Sequence, residues 1–216
     1  MNPTRRVFVA AGVLASGVGA KAAESAGRLQ PTPAQMIGPF YPVVRPPEST
    51  ADLTRMPGKS GRARGDLIEV LGTVLSAAGK PVRGAMVLVW QANSDGRYDH
   101  PRDSNTARLD ENFRGHALLR TDSSGNFRLR TIKPGAYADT PGVLRTPHIH
   151  YEVIGEESRL ITQMYFPNEP LNPSDRLLRE MARGGRDAGG LIARPARPAM
   201  SAGATAYEWT VVLGAS

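Results

Sequence analysis

Gly115-His116-Ala117-Leu118-Leu119-Arg120-Thr121, then Asp122-Ser123-Ser124-Gly125, then Asn126-Phe127-Arg128-Leu129-Arg130-Thr131-Ile132 run consecutively in this chain of 216 residues. In the last of these segments apolar Phe127 and Leu129 alternate with Arg128 and Arg130. That period of two puts successive side chains on opposite faces of a β-strand. The middle segment is a turn signal, built from residues that bond their own backbone or accept unusual dihedrals. The pattern recurs outward at Leu67–Leu75, Ala85–Gln91, His148–Ile154, Leu160–Phe166 and Tyr207–Leu213, with further turn signals at Ser76–Gly79 and Lys133–Gly135. Seven short strands at this spacing predict an all-β domain, an antiparallel sandwich or barrel with long loops.

One short helix is expected near the C-terminus. Asn172 is placed to cap it, Pro173 suits its first turn, Asp175 favours its positive end, and Gly184-Gly185 stop it. Ala182–Ala206 is expected as loop. Ala23 to about Gly65 is rich in Pro, Gly and Ser without sustained periodicity, so it reads as an extended arm and loops. The expected organisation is a leader over 1–22, an arm over 23–65 and one β-sandwich domain over 66–216.

Composition narrows the chemistry. With 40% hydrophobic and 22% charged residues, the chain can bury a core and is not disordered. Zero cysteines exclude a disulfide framework, a zinc-thiolate site, an iron–sulfur cluster and a thiol nucleophile. The formal charge of +7 includes Arg5, Arg6 and Lys21, in a segment without any acid. Without that segment 24 bases face 20 acids, a balance of +4 that is too small to argue for nucleic acid.

Residues 1–22 begin with charge, continue with an apolar run from Val7 to Ala20, and end in Ala20-Lys21-Ala22, which suits a signal peptidase. The run is short and rich in Gly and Ala for a permanent anchor, so no stable membrane insertion is expected after cleavage. Thr4-Arg5-Arg6-Val7-Phe8-Val9 resembles the twin-arginine export signal, which implies export to the periplasm or outside, already folded.

Pro147-His148-Ile149-His150-Tyr151 is the sharpest local feature. Period two puts both imidazoles on one strand face, about 7 Å apart at Cα, where both can ligate one ion. Two histidines on a solvated edge strand fit the same residues. Any further ligands must be oxygen donors, and two tyrosines sit in stereotyped loops, Gly96-Arg97-Tyr98-Asp99-His100-Pro101 and Lys133-Pro134-Gly135-Ala136-Tyr137. A phenol ionises near pH ~10, so a phenolate ligand demands a strong Lewis acid. Ferric iron fits that demand; Zn²⁺ and Fe²⁺ fit it poorly. Each tyrosine also fits a plain role, packed on the end of the sandwich. His100 is expected to bond within its own loop, and His116 to be a polar surface residue.

Gly38–Pro42, Val89–Pro101, Phe127–Gly135, Arg145–His150 and Thr162–Pro167 occur in that order. Together they resemble the intradiol ring-cleavage dioxygenases, the protocatechuate 3,4-dioxygenase type more than the longer catechol 1,2-dioxygenases. The resemblance spans about Ile37 to Phe166 and extends loosely to the C-terminal strand. It implies an immunoglobulin-like β-sandwich holding Fe(III), with Tyr98 and His150 as equatorial ligands and Tyr137 and His148 as axial ones. It also implies Arg145 beside the substrate ring, Gln163 lining the pocket and Tyr41 at the pocket mouth. The implied reaction opens catechol-type rings between the hydroxylated carbons with O₂, giving muconate-type dicarboxylates. The alternative is an exported, non-catalytic β-sandwich binding module in which His148 and His150 are incidental.

Two departures bear on substrate. Tyr137 is followed by Ala138-Asp139 where protocatechuate enzymes continue with Pro-Trp, and the loop over Ala138–Pro147 is short. Asp139 near the pocket is expected to repel a ring carboxylate, which favours catechol-like compounds. Protocatechuate enzymes pair two unlike subunits, whereas this chain carries the full implied ligand set and is expected to act alone or as a homo-oligomer.

Overall fold

The computed structural model describes residues 27–48, 51–140, 142–197, 199 and 201–214. The leader expected over 1–22 lies outside them. Among the described residues ten strands form: β1 (Leu67–Ser76), β2 (Met86–Trp90), β3 (His116–Arg120), β4 (Asn126–Ile132), β5 (Tyr137–Thr140), β6 (Val143–Arg145), β7 (His148–Ile154), β8 (Arg159–Tyr165), β9 (Arg194–Ala196) and β10 (Thr205–Leu213). All seven expected strands are present with ends within two residues of their expected positions.

Two four-stranded sheets, ordered β4-β1-β10-β9 and β3-β2-β7-β8, pack face to face, and β5 and β6 make a separate hairpin. Alternate residues of both sheets fill the space between them: Val70, Val74, Val87, Val89, Phe127, Leu129, Ile149, Tyr151, Val153, Trp209 and Val211. Each such aliphatic side chain, fully buried, contributes about 1.5–3 kcal/mol. Among the described residues no helix is long and apolar enough to cross a membrane.

Four expectations are corrected. The sandwich is not wholly antiparallel, because β1 and β10 pair in parallel, from Ile68 opposite Thr205 to Ser76 opposite Leu213. β1 and β10 are far apart in the chain, which crosses to the other sheet and returns through β9 before β10, so no hairpin joins β1 to β10 to enforce antiparallel pairing. Ala138–Pro147 is not a plain loop, since it carries most of the β5–β6 hairpin.

The stretch Ala182–Ala206 contains β9, which pairs only with β10 at the sheet edge, where Pro195 costs no ladder bond. Asn172 does not cap the helix. Asn172–Ser174 forms a 3₁₀ turn, and helix α1 (Arg176–Arg183) is capped by Asp175, whose carboxylate accepts the amides of Leu177 and Leu178. The Asn172 side chain is engaged elsewhere, accepting from Thr146 and donating to the Phe166 carbonyl.

Candidate metal centre

Strand β7 is buried on both faces although it carries two histidines and a glutamate. Ile149, Tyr151 and Val153 enter the space between the sheets, so period two turns His148, His150 and Glu152 to the outer face. β7 lies between β2 and β8, with His150 opposite Trp90 on one side and Gln163 on the other. The solvated edge strand is thereby ruled out. A second apolar layer of Leu88, Trp90, Ala92, Tyr98, Leu118 and Tyr137, with Phe40 and Tyr41 from the arm, covers this outer face.

The two tyrosine loops are built against each other. Asn93 organises the first, its Oδ1 accepting the amides of Asp95 (2.9 Å) and Arg97 (3.0 Å), while its carbonyl accepts the Gly135 amide of the second loop (2.9 Å). Gly96 has φ +76°, and a Cβ there would collide with the Ala136 carbonyl beside Tyr137. The Tyr98 amide is fixed by Asp103 Oδ2 at 2.7 Å. His100 bonds within its own loop as expected, its Nδ1 accepting the Arg102 amide (3.1 Å), and its Nε2 also lies 3.2 Å from the Tyr41 carbonyl of the arm.

Tyr98, Tyr137, His148 and His150 converge, with 4%, 6%, 2% and 1% of their surfaces exposed. His148 Nε2 lies 3.2 Å from His150 Nε2 and 3.4 Å from the Tyr137 hydroxyl. The Tyr98 and Tyr137 rings meet edge to face at 5.3 Å. Trp90 stacks on His150 at 4.9 Å and Phe40 on Tyr98 at 4.4 Å. His148 Nδ1 lies 2.6 Å from the Thr146 carbonyl, which only accepts, so Nδ1 carries the proton and Nε2 presents its lone pair to the site.

Burial pushes both imidazoles well below their ordinary range, helped by the Arg145 charge and, for His150, by His148. Burial pushes the Tyr98 phenol well above its range, with the Tyr137 oxygen adding to it; Tyr137 is raised too, against a lowering pull from Arg145. The protein alone therefore holds four neutral donors. A bound cation reverses the sign for the phenols.

The donor set fits a ferric ion. The Tyr98 hydroxyl is buried without a hydrogen-bond partner among the described residues. The facing Nε2 atoms need a proton or a cation between them. Among the described residues no three of His, Cys, Asp and Glu cluster in a metal-binding arrangement, so a metal here depends on the tyrosines.

Arg145 and Gln163 adjoin these donors. Arg145 Nη2 donates to Gln163 Oε1 (2.7 Å) and lies 3.2 Å from the Tyr165 hydroxyl, while Nε donates to Asp175 Oδ2 (2.8 Å). Burial works against the Arg145 charge, but Tyr165 and Asp175 outweigh it and hold the guanidinium above its ordinary range. Gln163 Nε2 donates to the Met36 carbonyl of the arm at 3.1 Å.

Tyr41 stands one ring further out. Its edge meets Trp90 and its hydroxyl bonds Glu152. Asp139 pairs with Arg176 at 3.2 Å, so its charge is engaged rather than bare as the sequence suggested. Sequence reasoning missed Glu152, although it shares parity with the two histidines, and missed that Asp175 reaches Arg145.

The dioxygenase family profile matches residues 36–215. The protocatechuate 3,4-dioxygenase beta chain of Burkholderia cepacia is 44% identical over 167 residues, covering 75% of this chain and 70% of that one. The alpha chain from Pseudomonas putida is 30% identical over 149 residues, 65% of this chain and 72% of that one. Among solved structures, the dioxygenase domain of a dioxygenase–carbohydrate-binding fusion from Streptomyces sp. SirexAA-E matches with a TM-score of 0.64 at 31% identity, covering 87% of this chain and 100% of that one. Sandwich and profile together define a dioxygenase. The chain belongs to the intradiol ring-cleavage dioxygenase family.

Proposed function

We propose that this chain is a non-haem, Fe(III)-dependent enzyme that opens catechol-type rings between the two hydroxylated carbons with O₂, giving muconate-type dicarboxylates. The observation that carries the reading is the convergence of Tyr98, Tyr137, His148 and His150, with the His148 and His150 Nε2 atoms 3.2 Å apart and the Tyr98 hydroxyl unpartnered among the described residues. Those four residues would hold the iron. Ferric iron would supply there the Lewis acidity that keeps two phenols ionised and the electron-accepting centre that activates a chelated catechol towards O₂.

The chain's own residues do the rest. Tyr137, as phenolate, is the base that takes a catechol proton at its oxygen. Thr146 holds His148 in the tautomer that directs Nε2 inward. Arg145, clamped by Asp175 and Gln163, is a fixed cation for negative charge developing on the opening ring. One such placed group lowers the barrier by about 3–4 kcal/mol. Phe40 and Trp90 shield the donors from water.

A ring without a carboxylate is favoured because Asp139, two residues past Tyr137 on β5, adds a carboxylate beside the site whose charge Arg176 offsets only from the exposed side. The chain holds every implied ligand itself, which supports action alone or as a homo-oligomer. Export by the twin-arginine route completes the reading and rests on Arg5-Arg6 and the apolar run behind them.

Oxygen uptake and product analysis with catechol, hydroxyquinol and protocatechuate test the reading. Muconate-type products are expected, with catechol accepted. A muconic semialdehyde would contradict the regiochemistry, and strict dependence on a ring carboxylate would contradict the substrate class.

A further inference from the structure

Asp175 is fully buried where helix α1 meets the end of β6, and its two oxygens face different ways. Oδ1 accepts the amides of Leu177 (3.0 Å) and Leu178 (3.2 Å), which is all a helix cap requires. Oδ2 is turned to the chain just before β7, accepting Arg145 Nε (2.8 Å) and the Thr146 amide (3.1 Å). A neutral serine or asparagine would satisfy the helix, so capping alone does not account for a carboxylate here.

The electrostatics do account for it. Arg145 lies against the positive end of α1, where a cation is disfavoured, and the carboxylate between them offsets both. With Nε clamped by Asp175 and Nη2 by Gln163 and Tyr165, Nη1 is the Arg145 donor without a partner among the described residues. Thr146 has a second tie through its hydroxyl, which donates to Asn172 Oδ1 at 2.9 Å. His148, held by the Thr146 carbonyl, therefore does not depend on Asp175 alone.

We propose that Asp175 is a positioning residue for the reaction: its Oδ2 fixes the Arg145 guanidinium so that Nη1 meets the negative charge developing on the ring. The proposal rests on the reading of Arg145 given above.

The test compares full-length, iron-loaded Asp175→Ser and Asp175→Asn with Arg145→Ala and the parent. Four quantities are measured: iron content, melting temperature, affinity for 4-nitrocatechol, and kcat with catechol. Ser and Asn both keep a capping oxygen, so helix α1 survives in each. The expected result is parent-like iron content and 4-nitrocatechol affinity in both variants, a folded protein that melts lower because Arg145 is left buried without its carboxylate, and kcat lower by about 10- to 100-fold.

Parent-like kcat in both Asp175 variants, beside an inactive Arg145→Ala, would overturn the proposal and leave the Arg145 reading intact. Loss of iron or of folding in both would overturn it as well, by making Asp175 structural. Full activity in Arg145→Ala would instead overturn the reading on which the proposal rests.

Discussion

The Tyr41 hydroxyl donates a 2.8 Å hydrogen bond to Glu152 Oε2, tying the N-terminal arm to the strand that carries both histidines. Arg45 from the same arm reaches that oxygen at 2.8 Å, and Arg159 takes the other at 2.6 Å. Between these ties and the Gln163 bond to the Met36 carbonyl, Gly38 and Phe40 are held against His150 and Tyr98. The arm is thus the outer wall of the metal centre, and Glu152 is its latch.

Glu152 makes that latch sensitive to acid. Burial alone would raise its carboxyl, but Tyr41, Arg159 and Arg45 outweigh burial and hold it below the ordinary range. The stabilisation is fully present above the unfolded glutamate value of about 4.3 and is lost as pH falls through the lower folded value. Melting temperature followed from neutral to acid pH should show a limb that Glu152→Gln removes. That variant should also be less stable at neutral pH by about 1–3 kcal/mol. An unchanged acid limb in the variant would show that the latch does not control it.

Gly38 cannot carry a side chain without disturbing His150. Its φ is +75°, and a Cβ would lie 3.2 Å from His150 Cε1. Gly38→Ala should cost about 1 kcal/mol through the backbone alone. It should also lower iron per chain by shifting the imidazole. Full iron content with parent-like melting would show that the arm yields there.

Much of the centre is legible before any coordinates. His148 and His150 share a face by period two, and the turn residues around Tyr98 and Tyr137 mark them as loop residues. The arm's placement is not legible, because coil without periodicity gives no signal for where it packs. The β5–β6 hairpin hides for a related reason: strands of four and three residues are too short to show an alternation. Asp175 is visible as a helix-start residue, yet its second oxygen bonds Arg145, 30 positions earlier, and only the folded chain brings those together. The parallel pairing of β1 with β10 likewise joins segments whose spacing carries no local pattern.

Arg145→Ala should keep its iron and its colour while turnover falls about 100- to 1000-fold, since it removes charge stabilisation and no ligand. The variant should also melt lower, because Asp175 loses a charged partner and keeps only the amides of Thr146, Leu177 and Leu178. Metal analysis beside steady-state kinetics checks this. Loss of iron would make Arg145 a structural residue.

Changing Arg5 and Arg6 together to lysine should leave folded, iron-loaded precursor inside the cell, because the twin-arginine route reads that pair. Cell fractionation with an antibody to the protein decides it. Normal export of the variant would point to another route.

The most direct test of the centre is metal analysis of the purified protein together with its visible spectrum. Two phenolates and two imidazoles should hold about one ferric ion per chain, giving a reddish colour from phenolate-to-iron charge transfer. Tyr98→Phe should bleach that band and His150→Ala should empty the site. Stoichiometric zinc in a colourless, active protein would contradict the account.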